Sequence, residues 1–576
     1  MKKILSAITL LFTFFAIAQE QNEKEKTKGY FFGGLESNAQ WYTNDKERSI
    51  DHPIEPFRSN SYLNFNYSYG KFTAGIQGEA YEPMALLNYN PKYKDTDVAT
   101  YYVNFTSNKL NITAGYFYEQ FGSGLLLRTW EDRSLGINNA LRGGRIKFTP
   151  NENMSYTLLY GRQRSGFEVS EGDIFGFDSE INISSLLNKD AIDLTFGASY
   201  VGRYEETYIE EPNFDEFTHA YAARINVAKN NFYLSTEYNY KTKDAILYNT
   251  QDIYNDFVKP GTAWLMNMGY SKKGMGLDFT FRRLENMNFF SEREPEVFAP
   301  EQTSVYFNDK MLNFLPSLTK QHHFLLANIY VYQAQAQVSI SPDTQIAKAG
   351  EIGGQIDLFY DFAKGTKLGG QHGTKISFNA SNYNNLKGDY DLFPPDYKTE
   401  FFGFGQKYFS DINLEVTKKF NQKFIGTFSY INQYYNNRYI AGAANVVVKT
   451  NILAGELDYH FTKGRAAKFS LEHMWADSDR NNWIAAMAEY NFNTRFSMFV
   501  FDMYNYGYEH NPSILIDDVT DAFDIHFYNV GAAYKKGSTR LAINYGRQRG
   551  GLVCAGGVCR FVPPSTGLGI SLNTSF

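Results

Sequence analysis

Apolar and polar residues alternate along most of this chain. Phe232, Leu234, Thr236, Tyr238 and Tyr240 share one face, opposed by Tyr233, Ser235, Glu237, Asn239 and Lys241. Leu277, Phe279 and Phe281 oppose Asp278, Thr280 and Arg282, and Ile412, Leu414 and Val416 oppose Asp411, Asn413, Glu415 and Thr417. Successive strand residues point to opposite faces, so each stretch predicts a strand with one apolar and one wet face. Roughly 24 such segments recur, with almost no competing helical period. An open sheet of that size would exceed the about ten strands at which sheets split or curl, and its edges would invite aggregation. Closure removes the edges and satisfies every backbone group in lipid. The pattern therefore predicts an all-β fold, a closed antiparallel transmembrane β-barrel of about 24–26 strands. Its water-facing side would carry Arg224, Glu237, Asp278, Arg282, Asp411 and Glu415.

Connection lengths support this. Short turns at 69–71, 107–109, 229–231, 272–274, 421–422, 462–464, 493–494 and 535–537 alternate with long connections, among them 44–56, 243–260, 387–399 and 508–521. In outer-membrane barrels short turns face the periplasm and long loops face outward. The alternation fails twice, at 163–189 and at 287–321. Either each region contains one more strand, or each threads through the lumen. The first reading is preferred, with Phe175–Asn182 and Thr303–Phe307 as the extra strands.

The ends fit the same picture. Lys2 and Lys3 precede an apolar core from Ile4 to Ile17, and Ala16-Ile17-Ala18 is a small-x-small cleavage site. Residues 1–18 thus predict a secretory signal peptide, followed by a polar stretch (19–28) and a barrel (29–576) read as one domain. No later apolar run approaches the about 20 residues of a membrane helix. The final strand places Ile570, Leu572, Thr574 and Phe576 on one face, and Phe576 resembles the terminal sorting signal of outer-membrane barrels.

Composition now becomes intelligible. The 576 residues include 98 aromatics (49 Phe, 44 Tyr and 5 Trp), which an outer-membrane barrel uses at its two lipid interfaces. The net charge of −6 argues against a nucleic-acid-binding face. The predicted location is the bacterial outer membrane. The expected partners are its lipid, the barrel-assembly machinery during biogenesis and an outer-membrane protein partner.

Two stretches stand out chemically. Cys554 and Cys559 are the only cysteines, separated by a Gly-containing turn in the last outward loop; export to an oxidising compartment predicts a disulfide. Residues 122–142 are read as a luminal segment in which charge is packed among Leu and Trp. Arg128, Glu131, Asp132, Arg133, Arg142 and Arg145 would form a luminal constriction, as opposed to a compact outer loop with weak surface ion pairs. No G-x-S-x-G, H-E-x-x-H, phosphate loop or EF-hand loop occurs. His322 and His323 are adjacent and would face opposite ways on a strand, and Asp477, Asp479 and Asn481 read as a solvated turn. No catalytic, cofactor-binding or metal-binding residue is expected, and the chain is read as not an enzyme.

The stretches Leu127–Arg145, Lys364–Gly370 and Gly557–Pro563 resemble an uncharacterised family of large outer-membrane barrels from Bacteroidota. The resemblance implies location and fold and carries no activity. The function expected is a pore or transport-type channel with a partly occluded lumen. The alternatives are a non-conducting scaffold or accessory subunit of an export or assembly machine and, last, an outer-membrane hydrolase.

Overall fold

The computed structural model describes residues 28–90, 93–187, 191–206, 215–248, 252–293, 310–341, 345–441, 447–507 and 523–576. Twenty-four strands form one antiparallel sheet that closes on itself. The first strand, Tyr30–Thr43, pairs with the second, Phe57–Tyr69, and also with the last, Ser565–Ser575. At the seam Gln40 lies opposite Gly569 and Asn38 opposite Ser571. The backbone of Phe576 extends the seam, exchanging hydrogen bonds of 3.0 and 3.1 Å with Gly33.

The alternation is realised as read. Glu237, Asn239 and Lys241 are buried on the inner face, while Tyr238 and Tyr240 are exposed on the outer one. Aromatic rings gather on the outer face beside the short turns, in cross-strand and same-strand pairs such as Phe31–Tyr67, Phe72–Phe105, Phe232–Tyr270 and Tyr459–Phe461. These rings form the band expected at a lipid–water interface. Among the described residues no helix is long and apolar enough to cross a membrane.

The two breaks in loop alternation have different origins. In the first, Glu168–Asn182 is a barrel strand paired on both sides, so the extra strand around Phe175–Asn182 is present. In the second, Met275–Glu285 pairs directly with Gly350–Phe362, so no wall strand separates them. The described parts of their connection instead fold into the barrel; Thr303–Phe307 lies outside the described residues, as does the signal segment 1–18. Two connections read as loops are strand extensions: Phe232–Tyr248 pairs with Asp252–Lys272, and Thr374–Leu392 with Pro395–Lys419. The second of these hairpins bends at register shifts between Tyr383 and Gly388. Phe401 and Phe402 then rest against the outward-facing Trp264.

Candidate functional site: an occluded lumen

Two connections at the long-loop end turn inward and meet. The first, 118–140, lies between the strands Leu110–Phe117 and Leu141–Asn151 and contains two tiny hairpins, Gln120–Phe121 with Leu127–Arg128 and Glu131–Asp132 with Ile137–Asn138. The second comprises the described residues 286–293, 310–341 and 345–349. Backbone hydrogen bonds join them, from Arg128 to the Leu312 carbonyl at 2.8 Å and from Phe314 to the Gly124 carbonyl at 2.9 Å. Asn313 donates to the carbonyls of Leu125 and Met287, and Asn139 donates to that of Met311. Buried amides thus pair with irregular backbone that a sheet would otherwise satisfy.

Apolar contacts hold this plug in the long-loop half of the lumen. Leu125, Leu126 and Leu127 are at most 2% exposed and pack with Leu312 against inward Leu159, Ile174, Val201, Ala220 and Leu284. Farther round, Phe324, Leu326 and Tyr332 pack against Tyr383, Phe409, Ile431, Met474 and Trp483. The stretch Tyr330–Val338 alternates in sequence like a wall strand, yet it crosses the lumen outside the barrel sheet.

Buried ion pairs orient the assembly. Arg282 reaches Glu351 at 2.7 Å, and that carboxylate also accepts the Tyr332 hydroxyl and the Gln335 amide of the plug. Asp244 takes Arg203 at 2.7 Å and Arg293 at 2.9 Å. Arg164 grips Glu79 through two hydrogen bonds of 2.5 and 3.0 Å. Such pairs gain little net energy over apolar replacements, but breaking one strands a charge, so they select one arrangement of the plug. Glu472 accepts the backbone amides of Leu325 and Leu326 at 3.0 and 2.8 Å. His322 meets Asp411 at 2.9 Å, whereas His323 turns to Glu456 at 3.5 Å.

The six residues singled out as a constriction are dispersed. Arg133 bridges Glu131 of its own segment and Glu36 of the first strand, at 2.9 and 2.8 Å, and lies over the Tyr62 ring. Arg128 stacks on Phe314, 3.8 Å from the ring centre, and Asp132 caps the turn at Ser134 and Leu135. Arg145 faces the lumen from a strand and holds Glu119 at 3.1 Å. Arg142 is different. It shares the outward face with Ile146 and Phe148 and lies opposite Tyr116, so it is not luminal. The regular alternation of the strand from Leu141 onward places it outside, which its position beside the Arg-rich segment concealed. The six luminal polar residues read from alternation all lie on the inner face. Glu79, Arg164, Arg203, Asp244, Glu351 and Glu472 were not singled out. Arg164 and Asp244 fall in stretches read as connections, and the others carry only charge on a strand face, which many solvated residues share.

Cys554 and Cys559 form a disulfide within the hairpin Gly551–Ala555 and Val558–Val562. The Asp477–Asn481 stretch is a turn in which Asp479 accepts the Tyr330 hydroxyl at 2.7 Å. Among the described residues no group of three or more His, Cys, Asp or Glu side chains could hold a metal ion.

A family model described as a family of unknown function, DUF6029, matches residues 1–576. The chain belongs to this family. No curated protein matches its sequence. Solved structures similar to this DUF6029 chain include the P pilus usher PapC translocation pore, at 10% identity and TM-score 0.42, covering 95% of this chain and 99% of that one. The siderophore receptor PirA from Pseudomonas aeruginosa is 8% identical with TM-score 0.40, covering 96% and 81%. The copper transporter OprC is 9% identical with TM-score 0.39, covering 97% and 82%.

Proposed function

We propose that this DUF6029 chain is a transport-type channel of the bacterial outer membrane whose lumen is occluded by its own inward connections. The observation that carries this is the division of the lumen. Its long-loop half is filled by 118–140 together with 286–293, 310–341 and 345–349, while its short-turn half is open and lined by polar side chains such as Glu180, Asn226 and Asn267. A barrel this wide leaves an aqueous bore unless something fills it, and a structural shell alone would not need a polar vestibule beneath a dry plug. By the usual placement of short turns, the vestibule opens to the periplasm. The aromatic band meets outer-membrane lipid, and the terminal strand ending in Phe576 presents the signal read by the barrel-assembly machinery.

Planar-bilayer recording of the purified chain and of a variant lacking residues 122–140 tests the reading. The expected result is a small conductance in the intact chain and a large, steady one in the variant. Silence from both, with the variant folded and inserted, would favour the non-conducting scaffold instead, and a stoichiometric partner recovered with the intact chain would identify what it supports.

A further inference from the structure

The plug does not grip the wall equally all round. Toward the strands Phe496–Tyr506, His526–Lys536 and Thr539–Gln548 it leaves a cavity of about 710 Å³. This cavity follows the plug's side. At its lower end are Gln321 and His322, where His322 reaches Asp411 in the middle of its strand; at its upper end are Arg549, Leu552 and Cys554 of the rim and hairpin. The facing wall contributes Phe501, Met503 and Asn529. Below them the inner face is small and uncharged: Ala542, Asn544, Gly569 and Ser571 are all partly exposed. Ala542 and Gly569 have no polar side-chain group, and among the described residues the side chains of Asn544 and Ser571 make no hydrogen bond to the plug.

The upper end is covered by the disulfide hairpin, which is fastened to both plug segments. Ser317 donates its amide to the Gly557 carbonyl at 2.7 Å, and Arg560 donates to the Leu135 carbonyl. Cys559 Sγ lies 3.8 Å from the Tyr332 carbonyl oxygen. The bridge to Cys554 keeps this hairpin a single unit over the cavity mouth.

We infer that solute passes along this side of the plug, between it and the wall before the seam, with the disulfide hairpin as the outer cap. This rests on the channel reading above. The lining selects the solute. Leu325, Ile329, Phe501 and Met503 offer apolar surface, Asn529 and the Asn328 amide oxygen offer polar groups, Arg547 is already engaged by Asp45 and Glu47, and Arg549 donates to the Ile329 carbonyl. A neutral, hydrogen-bonding solute with one apolar face, of disaccharide size, fits a cavity of this volume and chemistry.

Swelling of proteoliposomes in sucrose, a neutral disaccharide, tests it. Removing residues 551–562 from the full chain should raise the swelling rate roughly tenfold by uncapping the path. In that background Asn529→Trp and Ala542→Trp should each cut the rate at least about fivefold, whereas Ser235→Trp on the opposite wall should leave it unchanged. Heat-modifiable gel migration shows that each variant is folded. If Ser235→Trp blocks and the other two do not, the path lies elsewhere and the channel reading stands. Swelling after deletion of 122–140 but not of 551–562 overturns the capped path alone. If even the plug deletion fails to swell, the path and the channel reading both fall.

Discussion

The inner wall from Met154 to Asn491 and the inner wall of the last two strands differ in chemistry, although both come from the same alternating pattern. The first carries Asp178, Arg203, Arg224, Glu237, Asp244, Arg282, Asp411, Glu456 and Glu472, nearly all buried against the plug or against each other. Strands 539–548 and 565–575 present Ala542, Asn544, Gly546, Gly569 and Ser571 at the same depths. The difference teaches what each wall is for. A segment with irregular backbone stays in a lumen only where apolar burial and fully paired charges hold it. A wall without either leaves room.

Substitutions on the first wall should therefore be costly and those on the second nearly silent. The largest effect is expected for Asp244→Asn, which leaves the buried Arg203, Arg293 and Lys241 facing Glu205 without the carboxylate they share. Breaking such a pair costs about 3–5 kcal/mol. The urea midpoint should fall, and protease should cut within 286–293 in the inserted protein; an unchanged midpoint would show that this cluster does not hold the plug. Glu351→Gln retains acceptor capacity toward Tyr332 and Gln335 but leaves Arg282 uncompensated, so a loss of about 2–4 kcal/mol is expected by the same measurement.

Lys348 gives a test with a sign. It lies in a short luminal hairpin, donating to Gln335 Oε1 at 2.7 Å and to the Tyr439 carbonyl at 2.6 Å, and burial pushes its ammonium down to about 8. The unfolded chain takes up this proton at higher pH than the folded one. The resulting penalty is full below pH about 8 and disappears as pH rises toward the ordinary lysine value of 10.5. Lys348→Met should thus stabilise the plug by about 1–2 kcal/mol at neutral pH, after allowing for two orphaned acceptors. The gain should vanish in alkali. A thermal-unfolding series across pH checks it, and a gain independent of pH would remove the titration from the explanation.

The smallest effect belongs to the second wall. Ser571→Ala should change the unfolding free energy, read by urea titration, by less than about 0.5 kcal/mol, because its hydroxyl is half-buried and among the described residues meets only the Asn573 amide, at 3.5 Å. A loss comparable with that of Asp244→Asn would erase the contrast between the walls.

Much of the barrel was legible because lipid and water enforce strict alternation, residue by residue, as at Glu237–Lys241 and Asp278–Arg282. The strand Glu168–Asn182 was also recoverable, from a loop-length conflict. The plug was only half legible. Its first segment was conspicuous through Arg beside Leu and Trp, but the second offers Tyr330–Val338, whose alternation is that of a wall strand. Arg142 shows the same limit in one residue: adjacency in sequence suggested the lumen, and the strand's parity places it outside.

The amino-acid pattern by itself determined a closed, outer-membrane-type antiparallel barrel, with aromatic rings outward and amides and charges inward, since each strand must satisfy lipid and water locally. Which connections fold into the bore, which charges meet, and where the bore stays open were decided only in the tertiary structure. Asp244 with Arg293 and Arg282 with Glu351 are joined across long stretches of chain by burial and paired charge, Ser317 with Gly557 by a backbone hydrogen bond, and no local period encodes those meetings.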